Sequence, residues 1–102
     1  MEETRPIYVG TELKYLLNIE TEGFSMDTDD FKIIVRSSHD TIEIPKSQMI
    51  LTDNDEYLFT VDTSELGAGD YYVSVVAYVP DTDFDDGLRT EVTKQLLCVV
   101  KS

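Results

Sequence analysis

The fold is decided by the stretch DTSELGAGDYYVSVVAYVP, residues 62–80, in which a corner with two glycines leads into a run of apolar and aromatic residues. Glycine adopts the backbone angles of a tight turn without steric cost. In the run that follows, at 71–79, β-branched and aromatic residues recur at alternate positions. Such residues in a period of two favour a strand. The stretch therefore predicts a turn followed by a long strand.

Further strands are predicted on both sides of this stretch, separated by clusters of Asp, Gly, Ser and Asn. The predicted strands are residues 6–9, 13–20, 31–37, 41–44, 48–51, 57–61, 71–79 and 90–100. No long window shows helical periodicity. Seven or eight short strands of this kind predict an all-β fold, an antiparallel β-sandwich. At 102 residues the chain fits a single domain, 1–102, with residues 1–5 as an N-terminal arm.

The corner sharpens the fold prediction. Leu66, Gly69 and Tyr71 stand in the order of the tyrosine corner of immunoglobulin-like sandwiches, where the tyrosine hydroxyl bonds to backbone a few residues upstream. Antibody domains carry a cysteine two residues after that tyrosine, and here the position is Val73. The chain also has no tryptophan. We therefore expect an immunoglobulin-like sandwich without a disulfide.

The charge of the chain excludes some classes of partner. There are 21 acidic and 8 basic residues, for a formal net charge of −13. Binding to nucleic acid or to an anionic membrane needs clustered Lys and Arg, so neither partner is expected. Partners with positive surfaces are favoured instead. The sequence begins MEET and shows no apolar run typical of a signal peptide. We therefore expect the protein to be made and kept in the cytoplasm, or to leave the cell only by lysis.

The residues of catalytic chemistry are sparse. Cys98, the one cysteine, lies in the predicted strand QLLCVVK, and His39, the one histidine, lies in the turn-like SSHD. A catalytic thiol needs a neighbouring base, and a buried, inert Cys98 is the more common arrangement. There is no G-x-S-x-G motif, phosphate loop or histidine cluster. The sequence predicts a protein that is not an enzyme and needs no cofactor.

Aspartates are concentrated in three predicted loops, at 21–30, 52–55 and 80–87. In an immunoglobulin-like topology these loops emerge at the same end of the sandwich. The aspartates concerned are Asp27, Asp29, Asp30, Asp53, Asp55, Asp81, Asp83, Asp85 and Asp86. Solvated turns chosen for turn propensity and solubility are the simplest interpretation of such loops.

A calcium site is the alternative interpretation of these loops. Asp81, Asp83 and Asp85 have the 1-3-5 spacing of a helix-loop-helix calcium loop. The glycine, however, is Gly87 instead of the residue directly after Asp85, and Val92 takes the place of the bidentate glutamate. A calcium ion held by several loops therefore stays open only as an alternative.

One face of the predicted sheet carries apolar residues that the core does not need. If Tyr71 points inward on its strand, Tyr72, Val76 and Tyr78 point outward, and Ile34 joins them from the neighbouring strand. A contiguous apolar and aromatic stripe is typical of a contact surface. We predict an interface formed by Ile34, Tyr72, Val76 and Tyr78.

Several segments resemble a known group of proteins. FKIIVRS, YLFTVDTSELGAGDYYVSVVAYVPDTDFDDGLRTEV and LLCVV are similar to small immunoglobulin-like structural proteins of tailed bacteriophages and prophages of gut bacteria, including the crAss-like phages. The most distinctive segment is AYVPDTDFDDGLRTEV, and the resemblance extends over residues 6–100. No family motif supplies catalytic residues.

The resemblance implies a structural role in a virion. It implies an auxiliary capsid or decoration protein, made in the host cytoplasm, whose partners are the major capsid protein or other virion proteins, with self-association in the assembly as a further option. A tail-fibre, baseplate or adhesion module is the alternative within this class. A calcium-dependent binding domain is the alternative from another class.

Overall fold

The fold is described by a computed structural model for residues 6–52 and 56–102. The predicted arm, 1–5, and two of the predicted loop aspartates, Asp53 and Asp55, lie outside the described residues. The strands are β1 (Ile7–Tyr8), β2 (Glu12–Leu17), β3 (Phe31–Arg36), β4 (Thr41–Pro45), β5 (Ile50–Leu51), β6 (Tyr57–Asp62), β7 (Gly69–Pro80) and β8 (Leu88–Lys101). A 3₁₀ helix at Lys46–Gln48 precedes β5, and a one-turn helix, α1 (Thr63–Leu66), precedes β7.

The strands form two sheets. One has five strands in the order β1-β8-β7-β3-β4 and curls into a half-barrel, and the other has three strands in the order β2-β6-β5. Strands make up 56% of the structure and helices 7%, and Cys98 is a free thiol. Neither helix in the described ranges has the length and apolar character to cross a membrane. The prediction of an all-β protein without a disulfide is confirmed, whereas these curled sheets do not establish the immunoglobulin-like form.

Four predicted strands are shorter than expected: residues 6–9, 13–20, 31–37 and 48–51 form Ile7–Tyr8, Glu12–Leu17, Phe31–Arg36 and Ile50–Leu51. The strand predicted at 13–20 ends at Leu17, which pairs with Tyr57, the first residue of β6. Beyond it the amide of Ile19 donates a hydrogen bond to the sulfur of Met26 (3.3 Å). The strand predicted at 48–51 is reduced to Ile50–Leu51. There the amide of Met49 bonds to the carbonyl of Lys46 (3.0 Å) and closes the 3₁₀ turn.

The core is built from the alternating residues of strands in both sheets. Phe31, Ile33 and Val35 point inward from β3 and are fully buried. From β6 the inward residues include Tyr57, whose ring packs edge-on against Phe31 with centroids 5.0 Å apart. Burial of each such side chain stabilises the fold by roughly 1.5–3 kcal/mol. The two sheets therefore share one core.

The corner before β7 holds Tyr71 in place. The ring of Tyr71 is fully buried, and its hydroxyl lies 2.6 Å from the carbonyl oxygen of Gly67 and 3.2 Å from that of Thr63. Gly67 and Gly69 have φ of 78° and 132°, which favour glycine. Leu66, the last residue of α1, is buried as well. The hydrogen bond predicted between Tyr71 and backbone near Leu66 is therefore present.

Helix α1 also anchors the turn between β1 and β2. The hydroxyl of Thr63 donates to the carbonyl of Thr11 (2.7 Å) and accepts from the amide of Gly10 (2.9 Å). Thr63 has no exposed surface, so these bonds satisfy a buried hydroxyl and two backbone groups. The corner thus links α1, β7 and the start of β2.

Candidate functional site

The main candidate site is the convex side of the five-stranded sheet, which we call the outer face. Its apolar residues come from three adjacent strands, β3, β7 and β8, and lie side by side in the strand register. They are Ile34, Tyr72, Val76, Tyr78, Leu88, Val92 and Leu96. Four of them, Tyr72, Leu88, Val92 and Leu96, are 40–53% exposed. A contiguous patch of large exposed apolar residues is typical of a contact surface.

The four residues predicted for the interface do not share one environment. Tyr72 is 48% exposed, whereas Ile34 and Tyr78 are half-buried. Val76 is only 6% exposed, so the expectation that it is exposed is wrong. Val76 lies between Lys32 and Val92 in the sheet register, and the flanking side chains cover it. The exposed part of the outer face is therefore shifted toward β8.

The residues of β8 are the part of the outer face that sequence reasoning missed. Leu88, Val92 and Leu96 face outward because they pair with Pro80, Val76 and Tyr72. Leu97 has no partner on β7, because the register shifts between Tyr71 and Tyr72. Such a bulge reverses the faces of a strand, so even-numbered residues point outward before Leu97 and inward after it. The alternation of apolar and polar residues in LRTEVTKQL is visible in the sequence, but the sequence does not show which of the two sets faces outward.

The charges on the outer face differ from those of the rest of the chain. Lys32 forms an ion pair with Glu43 (2.7 Å), and the hydrogen bond to Glu43 is the main reason that the pKa of Lys32 is raised. Arg36 and Lys94 are exposed on the same face. The face therefore combines apolar residues with basic ones in a chain whose net charge is −13.

The acidic loops at 21–30 and 80–87 lie together at one end of the molecule, as the sequence predicted. The carbonyl of Asp30 accepts a hydrogen bond from the amide of Tyr78 (3.1 Å), and Thr21 donates to Glu91 (3.1 Å), so loops 18–30 and 81–87 share that end. Leu17, the last residue of β2, pairs with Tyr57, the first residue of β6, so β6 also begins at this end of the molecule.

Three aspartates of these loops accept hydrogen bonds from nearby groups. Asp81 accepts hydrogen bonds from the amide of Asp83 and from Arg89, and these interactions lower the pKa of Asp81. Asp29 accepts from the amide of Ser25 (2.8 Å). In residues 6–52 and 56–102, no group of three or more His, Cys, Asp or Glu side chains is placed to hold a metal ion. Asp86 likewise accepts from the amide of Leu88 (3.0 Å), so the side chains of Asp81 and Asp86 stabilise turns in this loop. A calcium ion at Asp81, Asp83 and Asp85 stays an alternative.

A groove of about 500 Å³ opens between β1, β2 and the end of β8, beside the single thiol. Cys98 and Tyr15 line it. Burial and the interaction with Cys98 raise the pKa of Tyr15 to about 12, and burial raises the pKa of Cys98. A thiol with a raised pKa stays protonated and is a poor nucleophile at neutral pH. His39, the one histidine of the chain, is exposed in the turn between β3 and β4 and does not line this groove.

Comparisons with known proteins add no relative to this description. No protein-family model matches the chain, and no match was found among curated proteins or solved structures.

Proposed function

We propose that this protein is an immunoglobulin-like docking domain that works without catalysis. The sheet orders β2-β6-β5 and β8-β7-β3-β4 support the fold assignment, because they correspond to strands B-E-D and G-F-C-C′ of immunoglobulin-like sandwiches. The buried Tyr71 at the start of β7 supports it too, since the tyrosine corner of these sandwiches begins strand F.

The outer face is the observation that carries the docking proposal. A chain with a sufficient core has no need to place Tyr72, Leu88, Val92 and Leu96 on a solvent-exposed face. Tyrosine supplies a large contact area at low cost in side-chain entropy, so Tyr72 is the expected centre of the contact. The acidic loops flank this face and favour a partner whose surface has an apolar centre and basic surroundings.

The resemblance to bacteriophage structural proteins supports the virion as the place where this docking occurs. On that basis the protein is an auxiliary capsid or decoration protein, and its partner is the major capsid protein or another virion protein. A position in the tail fibre or baseplate is the alternative. The location of the domain in an electron cryo-microscopy map of the virion decides between the two.

The docking proposal is tested with the double variant Tyr72→Ser/Tyr78→Ser. Both tyrosines lie on β7 and point outward, so we expect the fold to persist while the number of copies per purified virion falls at least about tenfold. The matched control is Leu16→Ser/Ile50→Ser, on the three-stranded sheet, where both residues are more than half exposed. This control should keep the wild-type copy number.

Two results would count against the proposal. Virions that retain the tyrosine variant at the wild-type copy number would remove the outer face from the contact. A bound protein that is released by about 1 M salt would indicate a contact held by charge, because salt screens charges and barely weakens apolar contacts.

A further inference from the structure

The outer edge of β8 is free over most of its length. β7 pairs with β8 from Leu88 to Val100, whereas β1 covers the other edge only at Val100 and Lys101. Among the described residues no other strand lies along that edge. An uncovered edge presents backbone amides and carbonyls that can pair with another strand.

The hydrogen bonds around the β7–β8 hairpin show which groups point to this edge. The amide of Asp81 bonds to the carbonyl of Gly87 (2.9 Å), and such bonded pairs alternate along an antiparallel ladder. The amide of Tyr78 bonds instead to Asp30, on the side of β3, as the alternation requires. Residues 88, 90, 92, 94 and 96 therefore direct their amides and carbonyls to the free edge.

We propose that this edge pairs with the same edge of a second copy, antiparallel and with Val92 on the two-fold axis. In that register Leu88 of one copy lies opposite Leu96 of the other, and Thr90 lies opposite Lys94. The free backbone amides and carbonyls of residues 88, 90, 92, 94 and 96 then all find partners in the other copy. This gives roughly ten backbone hydrogen bonds, two for each facing pair. The paired side chains lie on the outer face, so the exposed Leu88, Val92 and Leu96 cover one another.

The charges of β8 permit this register. Arg89 lies opposite Gln95 and Glu91 opposite Thr93, so no like charges face each other. Centring the pair on Lys94 instead would place two ammonium groups opposite one another, which is unfavourable. If one copy slipped by one residue, the free backbone amides and carbonyls of β8 would face residues whose own backbone groups are already bonded to β7. Val92 is also the midpoint of the segment 88–96, which ends just before the bulge at Leu97.

The charge of the whole chain opposes the dimer only in part. The acidic loops at 21–30 and 81–87 lie outside the paired segment, in which Arg89 and Lys94 outnumber Glu91. Charges further apart than about 8 Å are largely screened at physiological ionic strength. We therefore expect added salt to tighten the dimer, because it screens the remaining repulsion between the two copies.

The test measures the mass of the full chain by sedimentation at graded concentrations, with a mass about twice 11.6 kDa expected. Val92→Lys and Val92→Glu each place like charges across the axis and should raise the dissociation constant more than about tenfold. Their equimolar mixture should recover a heterodimer. Because the side chain of Val92 is about half exposed, both variants should keep the wild-type circular dichroism spectrum, which shows that the fold persists.

The matched control is Tyr72→Lys, which adds the same charge to the outer face on β7, away from the edge, at a site of similar exposure. It should stay dimeric, and its dissociation would mean that the face, not the edge, joins the copies. A full chain that is monomeric up to about 1 mM overturns the proposal. If removal of residues 1–5 then makes the chain dimerise, the arm is the occupant of the edge. Virion occupancy is measured separately, with the β7 variants, so either proposal can fail alone.

Discussion

Replacement of Tyr71 by phenylalanine isolates one hydrogen bond in the corner. The ring has no exposed surface, and phenylalanine keeps its shape and its apolar contacts. What is lost is the hydroxyl, 2.6 Å from the carbonyl oxygen of Gly67 and 3.2 Å from that of Thr63. A hydroxyl carries one proton, so it donates one full hydrogen bond, and the shorter distance assigns that bond to Gly67.

The expected cost follows from the burial of the acceptors. A lost hydrogen bond costs about 1 kcal/mol, and the partly buried carbonyl of Gly67, left without this donor, adds to the cost, so we expect a loss of about 1–2 kcal/mol in the free energy of unfolding. For a domain of this size each kcal/mol corresponds to a decrease of roughly 4–8 °C in Tm.

The assay is urea denaturation followed by circular dichroism, in which the midpoint should fall while the slope stays unchanged. Tyr72→Phe is the matched control, because it removes the same atom from the next residue, which is exposed on the outer face. The control should stay within about 0.5 kcal/mol of wild type. Equal stability of Tyr71→Phe and wild type would refute the role assigned to the corner.

Two further predictions concern the same corner. Gly69→Ala should destabilise the protein by about 0.5–1 kcal/mol more than Gly10→Ala, as measured by thermal denaturation. Both positions have positive φ, but only at Gly69 would the new Cβ lie 2.7 Å from the hydroxyl oxygen of Ser38. In a Ser38→Ala background this difference between the two variants should disappear. Asp62→Ala should destabilise α1 at pH 7 but have little effect near pH 2. Hydrogen bonds from the side chain and the amide of Ser64 lower the pKa of Asp62 in the folded state, so this stabilisation is present above the unfolded pKa and is lost as the pH falls through the folded pKa. Urea denaturation at both pH values measures the difference, and equal effects at the two would contradict the cap.

The orientation of strand β8 cannot be predicted from the sequence alone. The alternation of Leu88, Val92 and Leu96 with polar residues is visible in the sequence, but period two alone does not say which side faces the core. One unpaired residue, Leu97, makes the difference, since Val100 points into the core while Leu96 points to solvent. Whether a strand bulges depends on the partner strand, so this reversal is a tertiary property.

The sequence by itself determined what depends on near neighbours along the chain. Alternation located the strands, because side chains on a strand point to opposite faces in turn. The spacing of Leu66, Gly69 and Tyr71 located the corner, because its hydrogen bond joins residues only four positions apart.

The tertiary structure alone decided what depends on distant segments. It buried Val76 between its register partners Lys32 and Val92. Among the described residues it left most of the edge of β8 open, because β1 pairs with only two residues of that strand. The exposure of a side chain and the freedom of an edge are set by strands that are far away in sequence, and their register is fixed only when the sheets assemble.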